Sequence, residues 1–73
     1  MWKYVKDSKP ITYKIGNWDG ETSDQVVAED KNGKKYLATF CEGFLDGSKF
    51  AEWYDDREYF IEVEIVRWLE IID

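Results

Sequence analysis

Ile61, Val63 and Ile65 alternate with Glu62 and Glu64, the two-residue period of a strand with one buried face. Ile61, Ile65, Trp68, Leu69 and Ile72 would also share one face of a helix. That helix would carry a dense set of β-branched residues against their preference, so the pattern predicts a strand across Tyr59–Ile72. The alternation breaks at Val66, which predicts a bulge or bend before Trp68. Upstream, apolar positions in Gln25–Asp30 and Lys35–Cys41 flank Asn32-Gly33, the preferred centre of a two-residue type I′ hairpin. That closure sets Lys31 opposite Lys34, Asp30 opposite Lys35, Glu29 opposite Tyr36 and Val27 opposite Ala38.

Other segments give shorter signals. Pro10 ends a Trp2–Val5 segment, and Ile11–Ile15 reads as a short edge strand. Gly16-Asn17-Trp18-Asp19-Gly20 reads as a loop, with Trp18 either a lid on a sheet edge or an exposed contact residue. Asp46-Gly47 reads as a turn. Ser48 could cap a short helix over Lys49–Tyr54, and a short aromatic strand fits the same residues. The expected fold is one domain over residues 1–73 and mainly β, or α+β with one short helix. It is a small twisted antiparallel sheet of about four to five strands with an Asn-Gly hairpin. Trp2, Tyr36, Phe40 and Trp68 are the expected large core residues.

Composition fits a small, densely built core. Of 73 residues, 44% are hydrophobic and 18% aromatic, which supplies large burial per residue in a chain near the lower limit for one core. The lone Cys41 precludes an internal disulfide and reads as a buried, inert thiol. The opening Met1-Trp2-Lys3-Tyr4 has no basic-then-apolar signal pattern. No run approaches the roughly 18 apolar residues of a membrane span. The expected location is therefore the cytoplasm, without membrane association.

Charge changes the picture more. Residues 42–73 hold ten carboxylates and three bases, whereas residues 1–41 hold six and seven; the net charge is -6. Such a field repels phosphate backbones and attracts basic protein surfaces. Lys3, Lys6, Lys9 and Lys14 are too few against it to form a nucleic-acid groove, so no direct nucleic-acid binding is expected.

Little catalytic chemistry is available. With no histidine, His-based nucleophile activation is excluded and ordinary zinc ligation nearly so. No phosphate-binding glycine loop is present. Calcium-loop patterns from Asp46 and Asp19 fail at required positions, with Phe50 and Arg57 in one and Asp24 and Asp30 in the other. No enzyme activity, cofactor or metal is expected. The candidate protein-binding surface comprises Trp18, Glu52, Trp53, Tyr54, Asp55, Asp56, Glu58, Glu62 and Glu64, facing a partner with a basic surface. A homodimer stays open, since a small aromatic-rich domain can leave apolar surface for a twin.

Three segments also carry a likeness. Trp2-Lys3-Tyr4-Val5-Lys6-Asp7-Ser8-Lys9-Pro10 resembles the W-I-x-V-x-D-x-x-P start of a short phage- and prophage-associated family of unknown function. Gln25–Asp30 with Asn32-Gly33 resembles its central hairpin. Glu64-Ile65-Val66-Arg67-Trp68-Leu69 is similar to its V-x-x-W-hydrophobic closing strand. Arg67 stands where that family has histidine, and Leu69–Ile72 where it soon has proline. The resemblance implies a compact β-rich fold in a phage or mobile-element setting and carries no catalytic residue. The resulting expectation is a small acidic accessory protein in the host cytoplasm that binds a host or phage protein. Alternatives are a nucleic-acid-mimicking inhibitor of a defence or replication enzyme, and a structural or self-assembling module.

Overall fold

Seven strands run along the chain: β1 (Lys3–Tyr4), β2 (Thr12–Ile15), β3 (Gly20–Ser23), β4 (Val26–Asp30), β5 (Lys35–Leu45), β6 (Ser48–Asp55) and β7 (Ile65–Glu70). They are seen in a computed structural model, which describes residues 1–15 and 20–71. Together they form one antiparallel sheet, with more strands than the four to five expected. No helix occurs among the described residues, so the short helix considered for Lys49–Tyr54 is replaced by β6.

The eleven residues of β5 organise the sheet. One edge pairs with β4 and then β3, and the other with β6 over eight residue pairs from Ala38↔Asp55 to Leu45↔Ser48. Beyond them, β2 pairs with β3, β7 with β4, and β1 with β7. At the β4–β7 ladder Glu29 faces Arg67 while Asp30 faces Ile65, leaving Val66 as the extra residue. This is the site where the sequence alternation fails.

The two β5 turns exchange their expected chemistry. β4 and β5 pair as Glu29↔Lys35, Ala28↔Tyr36, Val27↔Leu37 and Val26↔Ala38, one residue away from the register that a two-residue Asn32-Gly33 closure requires. Only Gly33 has positive φ there (88°); Asn32 does not. Gly33 N donates to Asp30 O at 3.0 Å and Asp30 N to Lys34 O at 2.9 Å, a three-residue loop with a glycine bulge. Burial selects this register. It puts Val26 and Ala28 on the same face as Ala38 and Phe40, all buried, whereas a one-residue slip would turn Glu29 toward the core with Tyr36. The two-residue turn with positive φ at both positions lies instead at Asp46 (52°) and Gly47 (82°).

Asp30 fixes the shifted loop. It is buried, and its Oδ1 accepts from the amides of Asn32 (2.8 Å) and Lys34 (3.0 Å) while Oδ2 accepts from the Tyr36 hydroxyl (2.8 Å). Burial pushes its carboxyl pKa up, but the bonds from Tyr36, Lys34 and Asn32 outweigh this and hold it below 3.8. A lowered folded-state pKa means that the carboxylate adds stability above the unfolded value, lost as pH falls through the folded one. Asp30→Asn is therefore expected to lower the melting temperature at neutral pH. It should also flatten the acid-side decline below about pH 4, measured by thermal melts from pH 7 to 2; an unchanged acid slope would contradict this role.

The core comprises Val26, Ala28, Ala38, Phe40, Trp53, Ile61, Ile65 and Trp68, with Val5 and Tyr36 packed against it. Trp68 donates its indole N–H to Ser8 O at 3.0 Å, satisfying the polar atom of a buried indole. Trp2 departs from its expected core position. It is half-buried and stacks on Arg67 (4.2 Å), which also donates to Glu29 Oε1 at 2.6 Å on the solvent side of the sheet.

Between β3 and β4, Asp24 and Gln25 leave the ladder, and the chain has one residue too many to match β5. The buried Ser23 Oγ fills the gap by accepting from Phe40 N at 3.0 Å, and donates to Asp24 O at 2.7 Å. On the other side of β3, β2 is a bulged edge strand whose register shifts between Thr12 and Lys14, a feature that discourages strand addition.

Candidate protein-binding surface

The predicted acidic-aromatic residues separate into inner, turn-forming and exposed groups. Trp53 is buried (8% exposed), its ring 5.0 Å from Phe40 and tilted by 51°. It is a core residue and not part of a contact surface, because Phe40↔Trp53 pairing puts it on the inner face. Tyr54, the next residue, faces outward. It is half-buried and meets Phe60 edge-on at 6.0 Å, with its hydroxyl 3.5 Å from Glu52 Oε1. Burial raises the Tyr54 hydroxyl pKa, and the charge of Glu52 adds to that. Trp18 lies outside the described residues.

Asp55 builds a turn that sequence reading missed. Its Oδ1 accepts from Arg57 N and Tyr59 N, both at 2.9 Å, while Glu58 N donates to Asp55 O and Asp55 N to Tyr59 O. This repeats the Asp30 loop bond for bond, two and four residues onward from the aspartate. The left-handed position is Gly33 in one loop and Glu58 (φ 68°) in the other. Tyr59–Ile61 then returns along β6, through a Tyr54↔Phe60 bridge and Ile61 N donating to Trp53 O at 2.9 Å. The shared signal is an aspartate three residues before a left-handed position, hidden in the second loop by the absence of glycine.

Asp56, Glu58, Glu62 and Glu64 are exposed, and none forms an ion pair among the described residues. Glu62 and Glu64 are exposed between the buried Ile61 and Ile65, with Val63 half-buried, and the strand expected across Tyr59–Ile72 begins only at Ile65. Exposed Tyr59 (67%) and Phe60 (50%) lie between Glu58 and Glu62 along the chain. Cys41 is buried on the outward-facing side of β5, where burial first, and then Glu52 and Glu42, raise its pKa. That disfavours the reactive thiolate.

A separate crevice of about 290 Å³ lies between the Pro10–Tyr13 segment, the β3–β4 connection and β7, lined by Pro10, Ile11, Tyr13, Asp24, Val26 and Trp68 among others. Its Asp24 already accepts from Tyr13 Oη at 2.6 Å and pairs with Lys14 at 2.9 Å, so it offers little free charge. No group of side chains among the described residues could hold a metal ion, and no described helix is long and apolar enough to cross a membrane. Comparisons with family models, curated proteins and solved structures return no match.

Proposed function

We propose that this chain is a small acidic accessory protein that acts by binding a protein partner with a basic surface. The phage or mobile-element setting, and with it the host cytoplasm, come from the resemblance of its opening and closing segments to the phage-associated family. The mode of action rests on one observation. Asp56, Glu58, Glu62 and Glu64 flank Tyr59 and Phe60 in the chain, all six residues are exposed, and the four acids form no ion pairs among the described residues. Unneutralised charge around partly exposed aromatics matches the makeup of a docking site, with an anchor and a steering rim.

Glu58 adds support from energetics. A non-glycine residue in the left-handed region costs about 1–2 kcal/mol, yet the equivalent position of the other loop is glycine. Glu58→Gly is expected to stabilise the fold by about 0.5–1 kcal/mol, after the extra entropy cost of glycine. It should also weaken partner binding. Combining Asp56→Asn, Glu62→Gln and Glu64→Gln should lower affinity for a cationic partner roughly tenfold at low salt, with a smaller difference at high salt. The check is capture from host lysate at two ionic strengths, followed by titration of the captured protein. Equal affinity of the native and neutralised chains would overturn the assignment. Asp55 is unsuitable for this test because its removal would dismantle the turn.

A further inference from the structure

The strand registers expose an apolar band on the sheet face opposite the core. Leu69 pairs with Val27 and Val27 with Leu37. Thr39, two residues from Leu37 on the same face, pairs with Tyr54, and Tyr54 with Phe60. Leu69, Val27, Leu37, Tyr54 and Phe60 therefore form a line that crosses β7, β4, β5 and β6 and ends on the returning segment. Leu37 (44%) and Phe60 (50%) are exposed, and the other three are half-buried. Four interstrand steps make the line roughly 19 Å long. It runs across the strands, so addition of an extended peptide to a sheet edge would not cover it.

The two ends differ in charge. At the Phe60 end, Glu52 shares the face of Tyr54; Asp56, Arg57 and Glu58 lie in the adjoining turn, and exposed Glu62 follows two residues after Phe60, so acids outnumber bases there. None of the four acids is in an ion pair among the described residues. Near the Leu69 end, Arg67 is matched by Glu29 at 2.6 Å and covered by Trp2. The band is consequently negative at one end and balanced at the other.

We infer that this band seats an amphipathic helix of the partner whose basic residues cluster at one end. An apolar residue at each turn recurs about every 5.4 Å, close to the strand spacing of about 4.8 Å, so some three to four turns would span the line. The clustered lysines or arginines would lie against Glu52, Asp56, Glu58 and Glu62. The inference rests on the protein-binding reading above and specifies the chemistry of the bound segment.

The test is an amide chemical-shift titration of the full chain with two probes. One is a synthetic leucine/lysine helix with lysines at one end; the other is oligolysine of equal charge. Shifts along Leu69, Val27, Leu37, Tyr54 and Phe60 with the first probe only are expected. Leu37→Thr, which retains a strand-favouring residue, should weaken that probe about tenfold without altering oligolysine binding. If Leu37→Thr perturbs the spectrum of the free chain, Phe60→Thr takes its place. Shifts confined to Asp56–Glu64 with both probes would overturn the band but leave acidic docking standing. No shifts with either would overturn both. Concentration-dependent shifts along the band without peptide would also overturn the inference, by showing that a second copy covers it.

Discussion

Replacing Phe40 with alanine is expected to destabilise the fold by about 3–5 kcal/mol, the usual loss for a fully buried aromatic side chain. Phe40 is only 1% exposed and lies in the middle of β5, against Trp53 and within the cluster that includes Ala28, Ala38 and Trp68. Ala28 and Ala38 have little volume with which to close the resulting hole. A chain of 73 residues has a total stability of roughly 4–11 kcal/mol. The substitution should therefore remove much of it and lower the melting temperature by roughly 12–40 °C. Thermal melts followed by circular dichroism would measure this. Phe40→Leu, which leaves a smaller void, should fall between the two. A loss for Phe40→Ala below about 1 kcal/mol would mean that this cluster is not the principal core.

Ser23→Ala is expected to cost about 1–3 kcal/mol through a different mechanism. The alanine removes little volume but strips the acceptor from Phe40 N, a buried backbone donor at the point where β3 and β4 part from regular pairing. An orphaned buried N–H loses its water without regaining a partner, which is costlier than losing an exposed hydrogen bond. Urea titration should show a lower midpoint with an unchanged slope. Ser8→Ala, at an exposed position, is the control and should change stability by less than about 0.5 kcal/mol. Equal effects at the two serines would remove Ser23 from its proposed bridging role.

The β-branched residues made β7 readable, but the strand expected from Tyr59 begins only at Ile65. Residues 61–64, where the alternation lies, are irregular because they carry the chain from β6 across to β7 and have no strand ladder to join. The interruption at Val66 does follow from that period. The register around Asn32-Gly33 was not readable from the dipeptide. It depends on the distant side chains that Val26, Ala28 and Ala38 must join, and on the Asp30 carboxylate fixing the chain reversal. For Lys49–Tyr54, spacing permitted either element. Pairing with β5 along its whole length determines the strand, and it alone sends Trp53 inward and Tyr54 outward. Alternating adjacent aromatics cannot be assigned to core or surface until that partner strand is known. The acidic exposed residues were legible from charge alone, whereas the apolar band opposite the core depends on four registers and was not.

The pairing of β1 with β7 brings Lys3 beside Trp68, whereas β5 and β6 are joined by a turn of only two residues. Closing the longer span carries the greater entropic penalty, so the β5–β6 hairpin is expected to form early in assembly and the β1–β7 pairing late. Contacts made at that late stage govern how long the finished molecule persists more than how quickly it is reached. The stacking of Trp2 on Arg67 is thus expected to slow unfolding more than it speeds folding.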